Sequence, residues 1–570
     1  MSTIDPQTEF LRTFINDNAS ALNRDTSRLR DHVFSPFAPH RERELSGRRA
    51  YLLLSTCVEL AMAKMEHICS QQSLDFWMAY VRRLSLLVDF EPTWVMYATL
   101  AAIRWSDWSQ DTSAGHFAGD GEFGVAFAVT PGALADCCML VVAASMVNHL
   151  NNLRRWVGKG ARVVLDASGE LRKRADDDVV TAVEHYERRR PGQILADEGI
   201  LADLTRRSFD SPAALLLSMA AVKPPLEIAV RQRPTRYSVP MLPVALSATA
   251  VMRALRPYEE AMVDVFGIGV DELLQTLHAC GTRTMESFPT ISLSASNLLL
   301  EGSGIDPQFE HKLSFMVSLC RRGFLRFPVD HLKEQLATVP LAPEIGSGQA
   351  GAGLVERFFK SFALERAVAG RIDVERLEPV PVLYTSPGGQ CYLDFVAVPD
   401  FLRWIVVESR QWYQSQHGDH FNLALKRHIQ AEVGHIEVLG KRKEFRAPNG
   451  DRAQVDLLVR SSAGLYVVEC KAYAKPRDFW LGDPRAVRAR TRRIKEGVEQ
   501  AARAARVVQA VALAGDPESE IGRDEVVDWV VCMPSQEFIK PLDRFGLLDV
   551  GVPKICTPEE LVSYFQHIAR

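Results

Sequence analysis

The chain has 570 residues, too many for one hydrophobic core, and its length implies roughly two to four folded units. With 47% hydrophobic and 24% charged residues, the composition excludes disordered, low-complexity and fibrous classes. A net charge of -4 gives no global electrostatic case for a nucleic-acid partner, so any such case has to be local.

The first residues carry Asp5, Glu9 and Asp17 and lack a basic start followed by an apolar run, so no secretory signal is expected. Ten cysteines without a Cys-x-x-Cys spacing fit reduced thiols in a cytoplasm, with no zinc site. Residues 1–340 read as mainly helical, through apolar-rich segments at Tyr51–Cys69, Pro131–Val157, Pro212–Val222 and Phe309–Leu325. The most apolar of these contains Asp136, Asn148 and His149, which favours a buried helix over a membrane span. The segment Ala161–Arg174 interrupts the helices as a β-hairpin turning at Ser168 and Gly169. Around it, Arg154, Arg155, Lys159, Arg162, Arg172, Lys173 and Arg174 are followed by Asp176–Asp178, the pattern of an ordinary charged surface.

Thr338–Gly353, rich in Pro, Gly and Ala, suits a connection and marks the main boundary. Residues 354–417 read as a connecting αβ element. A helix is expected near Leu354–Val368, then two strands around the turn Ser386–Gly389. From 418 to 570 the expected order is a helix (Phe421–Val433), strands at His435–Leu439, Gln454–Val459 and Leu465–Ala472, and a long helix (Val487–Leu513). A strand at Val526–Pro534, a short strand and a terminal helix complete the chain. Apolar strands alternating with helices imply a sheet covered on both faces. The expected fold class is multidomain, α + α/β, with a mainly helical N-terminal region and a C-terminal α/β/α sandwich.

The chemistry-bearing residues lie in "AQVDLLVRSSAGLYVVECKAY". Asp456 stands on one buried strand, Ser461–Gly464 supply a turn, and Glu469 and Lys471 end the next strand. Residues two apart on a strand share a face, so Glu469 and Lys471 project together while Cys470 packs on the other side. Two hard carboxylates can hold magnesium, which keeps several waters and can orient one of them against a phosphodiester. Lys471 beside that water would steady developing negative charge.

"VDLLV" followed by "LYVVECKAY" resembles the PD-(D/E)xK, or restriction-endonuclease-like, nuclease superfamily, in element order over residues 418–570. The resemblance implies a Mg2+-dependent deoxyribonuclease, with Mn2+ as a substitute, whose catalytic residues are Asp456, Glu469 and Lys471. The metal would be held by Asp456, Glu469 and the backbone carbonyl of Cys470. Many members bring a glutamate from the first helix; here Asn422 stands at that position and Glu432 is a poorer substitute. Some use a glutamine followed four residues later by tyrosine on the helix after the lysine strand; Gln500 is present, with Ala504 at the tyrosine position.

Between Lys441 and Arg506 there are 17 Lys and Arg against 8 Asp and Glu, an excess of nine positive charges. Arg485, Arg488, Arg492 and Lys495 recur at helical spacing and suit a phosphate backbone, Gln500 is a further candidate nucleic-acid contact, and Phe479 and Trp480 are placed to stack on a base. The same residues equally suit the solvated face of an amphipathic helix. No Gly-x-x-x-x-Gly-Lys-Ser/Thr loop and no Gly-x-Ser-x-Gly elbow occurs. The expected function is DNA cleavage, as an endonuclease, with DNA as the partner acted on and, at the N-terminal helices, a protein partner or activating signal. Similar architectures suggest antiviral or restriction-type defence, and double-strand cleavage would suit a homodimer. The rival readings are an inactive nucleic-acid-binding module and a protein-interaction scaffold on the same fold.

Overall fold

The computed structural model describes residues 6–84, 92–108, 131–189, 215–229, 236–286, 320, 323–343, 345–385, 389–415, 419–434, 436–473, 475–515, 521–523, 525–548 and 552–568. The expected helical segment at Phe309–Leu325 lies largely outside these residues, and its last two begin a strand, Phe324–Pro328. The turn residues 386–388 lie outside them as well.

The N-terminal region packs the helix Pro131–Gly158 against Gly47–Cys69 and Pro92–Trp105. By length and composition Pro131–Gly158 could cross a membrane, but it is largely enclosed here, with Leu134, Cys137, Leu140, Ala144, Val147 and Leu150 fully buried. That spacing of three and four residues places one continuous stripe against the neighbouring helices. The hairpin Arg162–Leu165 with Leu171–Arg174 forms as its turn residues dictate, and Leu45–Ser46 adds a third strand.

One helical expectation fails. Of Pro212–Val222, residues 215–222 begin a strand, Leu215–Ala229, paired antiparallel with Arg236–Ser247, and 212–214 lie outside the described residues. A short apolar run carries no period that separates helix from strand, and Pro224-Pro225 block continuation of a helix. The register shift between Ala221 and Leu226 spans those two prolines, which have no N–H for the ladder.

In the central element the expected helix Leu354–Val368 is Ala352–Phe362. The chain then extends at Ala363–Leu364 to pair with Leu383–Tyr384, before a single turn at Arg366–Ala369. The strand Phe324–Pro328 pairs with Gln390–Asp394, so one four-stranded sheet takes strands from both sides of Thr338–Gly353.

The C-terminal part is a five-stranded mixed sheet in the order Glu437–Arg446, Arg452–Ser461, Gly464–Cys470, Val527–Cys532, Ile555–Cys556. The first two pairings are antiparallel and the last two parallel. The parallel pair needs a crossover, supplied by the helix Pro484–Ala514. That helix starts where Asp483 accepts hydrogen bonds from the N–H groups of Arg485 and Ala486, with Pro484 at its first position. It stops at Gly515, whose φ of 68° is the left-handed conformation glycine adopts without strain. Leu458, Leu465 and Val467 face Ala504, Ala505, Val508 and Val511 of this helix. On the other face Tyr466 meets Tyr564 and Phe565 of the terminal helix Pro558–Ile568, which packs beside Asp419–Glu432. The strict alternation along Gly464–Cys470 therefore assigns odd-numbered residues to the long-helix side.

Candidate active site

Register sets the site. Leu457 pairs with Val468 across the hairpin, so the next pair outward is Asp456 opposite Glu469. Glu469 shares the face of Leu465 and Val467, toward the long helix, and Cys470 turns to the other face among buried apolar groups. Asp456 Oδ2 accepts a hydrogen bond from the Cys470 N–H at 2.9 Å, which ties the two strands together at this level.

Glu469 is only 1% exposed. Its Oε1 is paired with Lys471 Nζ at 2.6 Å, and its Oε2 is buried without a hydrogen-bond partner. Burial, reinforced by the neighbouring Asp456 carboxylate, pushes its pKa up to about 7 against the opposing pull of Lys471 and Arg503. Burial works against the Lys471 charge too, yet the hydrogen bond and charge of Glu469 hold its pKa above the usual lysine value. Lys471 Nζ also donates to Gln500 Oε1 at 2.9 Å. Gly497, one turn earlier on the same helix, leaves room for the lysine: a Cβ there would sit 3.3 Å from Lys471 Cγ.

Asp456, Glu469, Lys471 and Gln500 are thus brought together as a set. Glu432 is not. It ends the helix Asp419–Glu432, and its carbonyl accepts from Gln566 of the terminal helix, on the sheet face away from Glu469. Asn422 is buried on that same helix, with its Oδ1 lacking a hydrogen-bond partner. Among the described residues no three His, Cys, Asp or Glu side chains cluster as a metal-holding set. The pair Asp456 and Glu469 still suits a small hard cation: both ligands are carboxylates, and a buried carboxylate oxygen without a hydrogen bond lacks compensation that a cation supplies.

No protein-family model, curated protein or solved structure matches the chain. Function has to be read from the residues themselves.

Arg485, Arg488, Arg492 and Lys495 are all exposed, and Lys495 pairs with Glu499 at 3.5 Å. At about 100° per residue, Arg488 and Lys495 point about 120° and 140° away from Gln500, whereas Arg485 and Arg492 border its stripe. Arg493 lies about 20° from Gln500 and Arg503 about 60°, both within about two turns of it along the helix, so these two flank the site most closely. Neither was evident from clustering of charge alone. Tyr473 was missed as well, although it continues the two-residue alternation of Glu469 and Lys471. The guanidinium carbons of Arg490 and Arg493 lie 5.7 Å and 6.0 Å from its ring centre. Phe479 does not offer a base-stacking face: it is buried with Val179, Tyr186 and Phe538.

Proposed function

We propose that the C-terminal part is a restriction-endonuclease-like domain and that the protein is a metal-dependent DNA nuclease hydrolysing phosphodiester bonds. The observation that carries this reading is the meeting of Asp456, Glu469, Lys471 and Gln500 at one end of a buried hairpin. Asp456 and Glu469 would hold Mg2+ or Mn2+, which when bound supplies a Lewis acid for the phosphate oxygens and a template for the attacking water. Lys471 adds positive charge where negative charge develops, and Gln500 holds its ammonium in place. Arg493 and Arg503 sit where a phosphate backbone would pass. We place the nuclease in the cytoplasm as the effector of a bacterial antiviral or restriction-type defence system, with the N-terminal helices as its recognition or regulatory part.

Cleavage of circular plasmid and linear single-stranded DNA by the full chain, with Mg2+, Mn2+ or EDTA, tests this. Metal-dependent cutting lost in Asp456→Ala and Lys471→Ala is expected. Cutting retained in EDTA or in both variants would overturn the assignment. The closed Glu469–Lys471 ion pair favours a second reading, a module that binds nucleic acid without cutting it; salt-sensitive binding indifferent to metal would be its mark.

A further inference from the structure

The parallel pairing of Gly464–Cys470 with Val527–Cys532 ends at Cys470 opposite Cys532, and the Lys471 N–H adds a rung by donating to the Cys532 carbonyl at 2.9 Å. Beyond that rung the chain leaves the sheet, so the direction in which Lys471 and Tyr473 project depends on what holds the next peptide groups. The Tyr473 carbonyl is held by a side chain: Arg490 Nη1, on the long helix, donates to it at 2.9 Å.

Arg490 is itself clamped. It is 4% exposed, and its Nη2 and Nε donate to the two carboxylate oxygens of Glu537 at 2.6 Å and 3.0 Å, a bidentate fork. With the fork fixed on Glu537, Nη1 is aimed at Tyr473. Glu537 is 1% exposed and also lies 3.5 Å from Lys475 Nζ, which donates to the Gln536 carbonyl. Burial opposes the Glu537 charge, yet Arg490 and Lys475 hold its carboxyl below the usual value. The helical region grips the same segment. Arg189, just past the helix Asp177–Arg188, donates to both Glu560 oxygens at 2.5 Å and 2.8 Å, to the Ile555 carbonyl at 2.9 Å and to the Glu537 carbonyl at 3.4 Å.

We propose that Arg490 and Glu537 are positioning residues: together they brace the segment after Lys471 and so fix its ammonium against Glu469 and Gln500. This role presupposes that Lys471 serves the nuclease centre proposed above. Apolar groups of the same volume often stabilise a fold as well as a buried ion pair does; the directed bonds of Arg490 add a fixed orientation.

Two measurements on the full chain test this. Acylation of Lys471 by an amine-reactive ester in EDTA, followed by mass spectrometry, reads how tightly the ammonium is held and needs no cleavage. Plasmid cleavage with Mg2+ reads kcat and KM. Arg490→Lys keeps a charge against Glu537 but has one nitrogen for three acceptors, and Glu537→Gln keeps the side-chain shape but loses the fork. The two variants attack the brace from opposite ends, so either one that melts cooperatively decides. Expected is acylation of Lys471 several-fold faster than in the natural chain, with kcat lowered roughly ten- to a hundred-fold and KM little changed. Arg410→Met is the control for lost stability, because it breaks another buried pair whose bonds run to Tyr258 and Glu559, each at 2.9 Å. It should lower the thermal midpoint and leave Lys471 acylation as it was. Unchanged acylation in a folded Arg490 or Glu537 variant, or an equal rise in Arg410→Met, would overturn the proposal. Absence of cutting by the natural chain would count against the nuclease reading alone, and the acylation comparison would still decide whether the brace places Lys471.

Discussion

Lys471 Nζ stands 2.6 Å from Glu469 Oε1, and Glu469 is the more deeply buried of the two, with side-chain exposures of 16% and 1%. The lysine is therefore the main compensation for a charge that burial disfavours. Lys471→Gln should lower metal-dependent cleavage roughly a hundred- to ten-thousand-fold, the usual range for a proton-handling or charge-stabilising group. Its thermal midpoint should fall more at pH 8 than at pH 6, because at the lower pH Glu469 can take up a proton instead of remaining an unpaired buried charge. Cleavage kinetics and thermal melts at the two pH values check both parts.

Glu469 also sets a pH dependence. Its carboxyl titrates near 4.5 in an unfolded chain and is pushed up to about 7 by burial and by Asp456. Between those values the folded protein binds the extra proton, so stability contributed by this group falls as pH rises through the window and stays low above it. In EDTA, Glu469→Gln should therefore be more stable than the natural chain at pH 8, by roughly 1–3 kcal/mol, with the gap closing toward pH 5. Mg2+ competes with that proton, so stabilisation by Mg2+ and cleavage should both rise through about pH 7. Melts that show no difference between the two chains at pH 8 would remove Glu469 as a strained buried acid.

Much of this site is legible in the sequence because strand geometry is local. Once Gly464–Cys470 is recognised as a strand, the two-residue spacing alone puts Glu469 and Lys471 on one face and Cys470 on the other. The turn at Ser462-Ala463 sets the pairing that brings Asp456 opposite Glu469. What a sequence withholds is the rotation of a helix against a sheet. Gln500 reaches Lys471 because Gly497 and the buried alanines of the long helix set its angle, and those small residues carry no chemical signal. The same rotation decides which arginines face the site. The strand Leu215–Ala229 was misread for a different reason: its apolar run has no distinguishing period, and its partner strand lies beyond any local window.

Helix phase separates two classes of arginine. Arg493→Ala with Arg503→Ala should weaken binding of single-stranded DNA and lower the dependence of log Kd on log salt by about 1 to 2, since each phosphate contact contributes roughly 0.7. Arg488→Ala with Lys495→Ala, pointing away from Gln500, should change either quantity far less. Filter binding across a salt series measures both. Equal losses from the two pairs would mean that nucleic acid follows the outer face of the helix instead.

Gly497 invites a substitution in which stability and activity part company. Alanine in a helix interior is favoured over glycine by about 1 kcal/mol. The added Cβ would lie 3.3 Å from Lys471 Cγ, 3.6 Å from its Cε and 3.9 Å from its Cδ, contacts that a lysine can relieve by shifting a few tenths of an ångström. Gly497→Ala should therefore raise the thermal midpoint slightly and lower cleavage, because the ammonium moves relative to Glu469 and Gln500. A larger lysine displacement follows from Gly497→Val, with a correspondingly larger loss.

Two glycines let the N-terminal helices and the C-terminal part approach closely. Helix Pro131–Gly158 ends against the turn that launches Pro484–Ala514: a Cβ on Gly158 would run into the Gly482 carbonyl, and one on Gly482, whose φ is 82°, would lie 2.6 Å from the Arg154 carbonyl. Both obstacles are backbone, which cannot step aside as a side chain can, so relief requires the two elements to separate. Nearby ties resist that movement, among them Arg477 with Asp373 at 2.9 Å and with Glu375 at 2.6 Å. Gly158→Ala should lower the thermal midpoint and also reduce cleavage, because the displaced turn carries the start of the helix that positions Gln500. Gly169→Ala provides the comparison: its φ of 79° imposes the left-handed strain of about 1–2 kcal/mol, but a Cβ there meets nothing within 4 Å. That variant should lose stability and keep full activity, and a similar loss of cleavage in both would break the link between docking and the site.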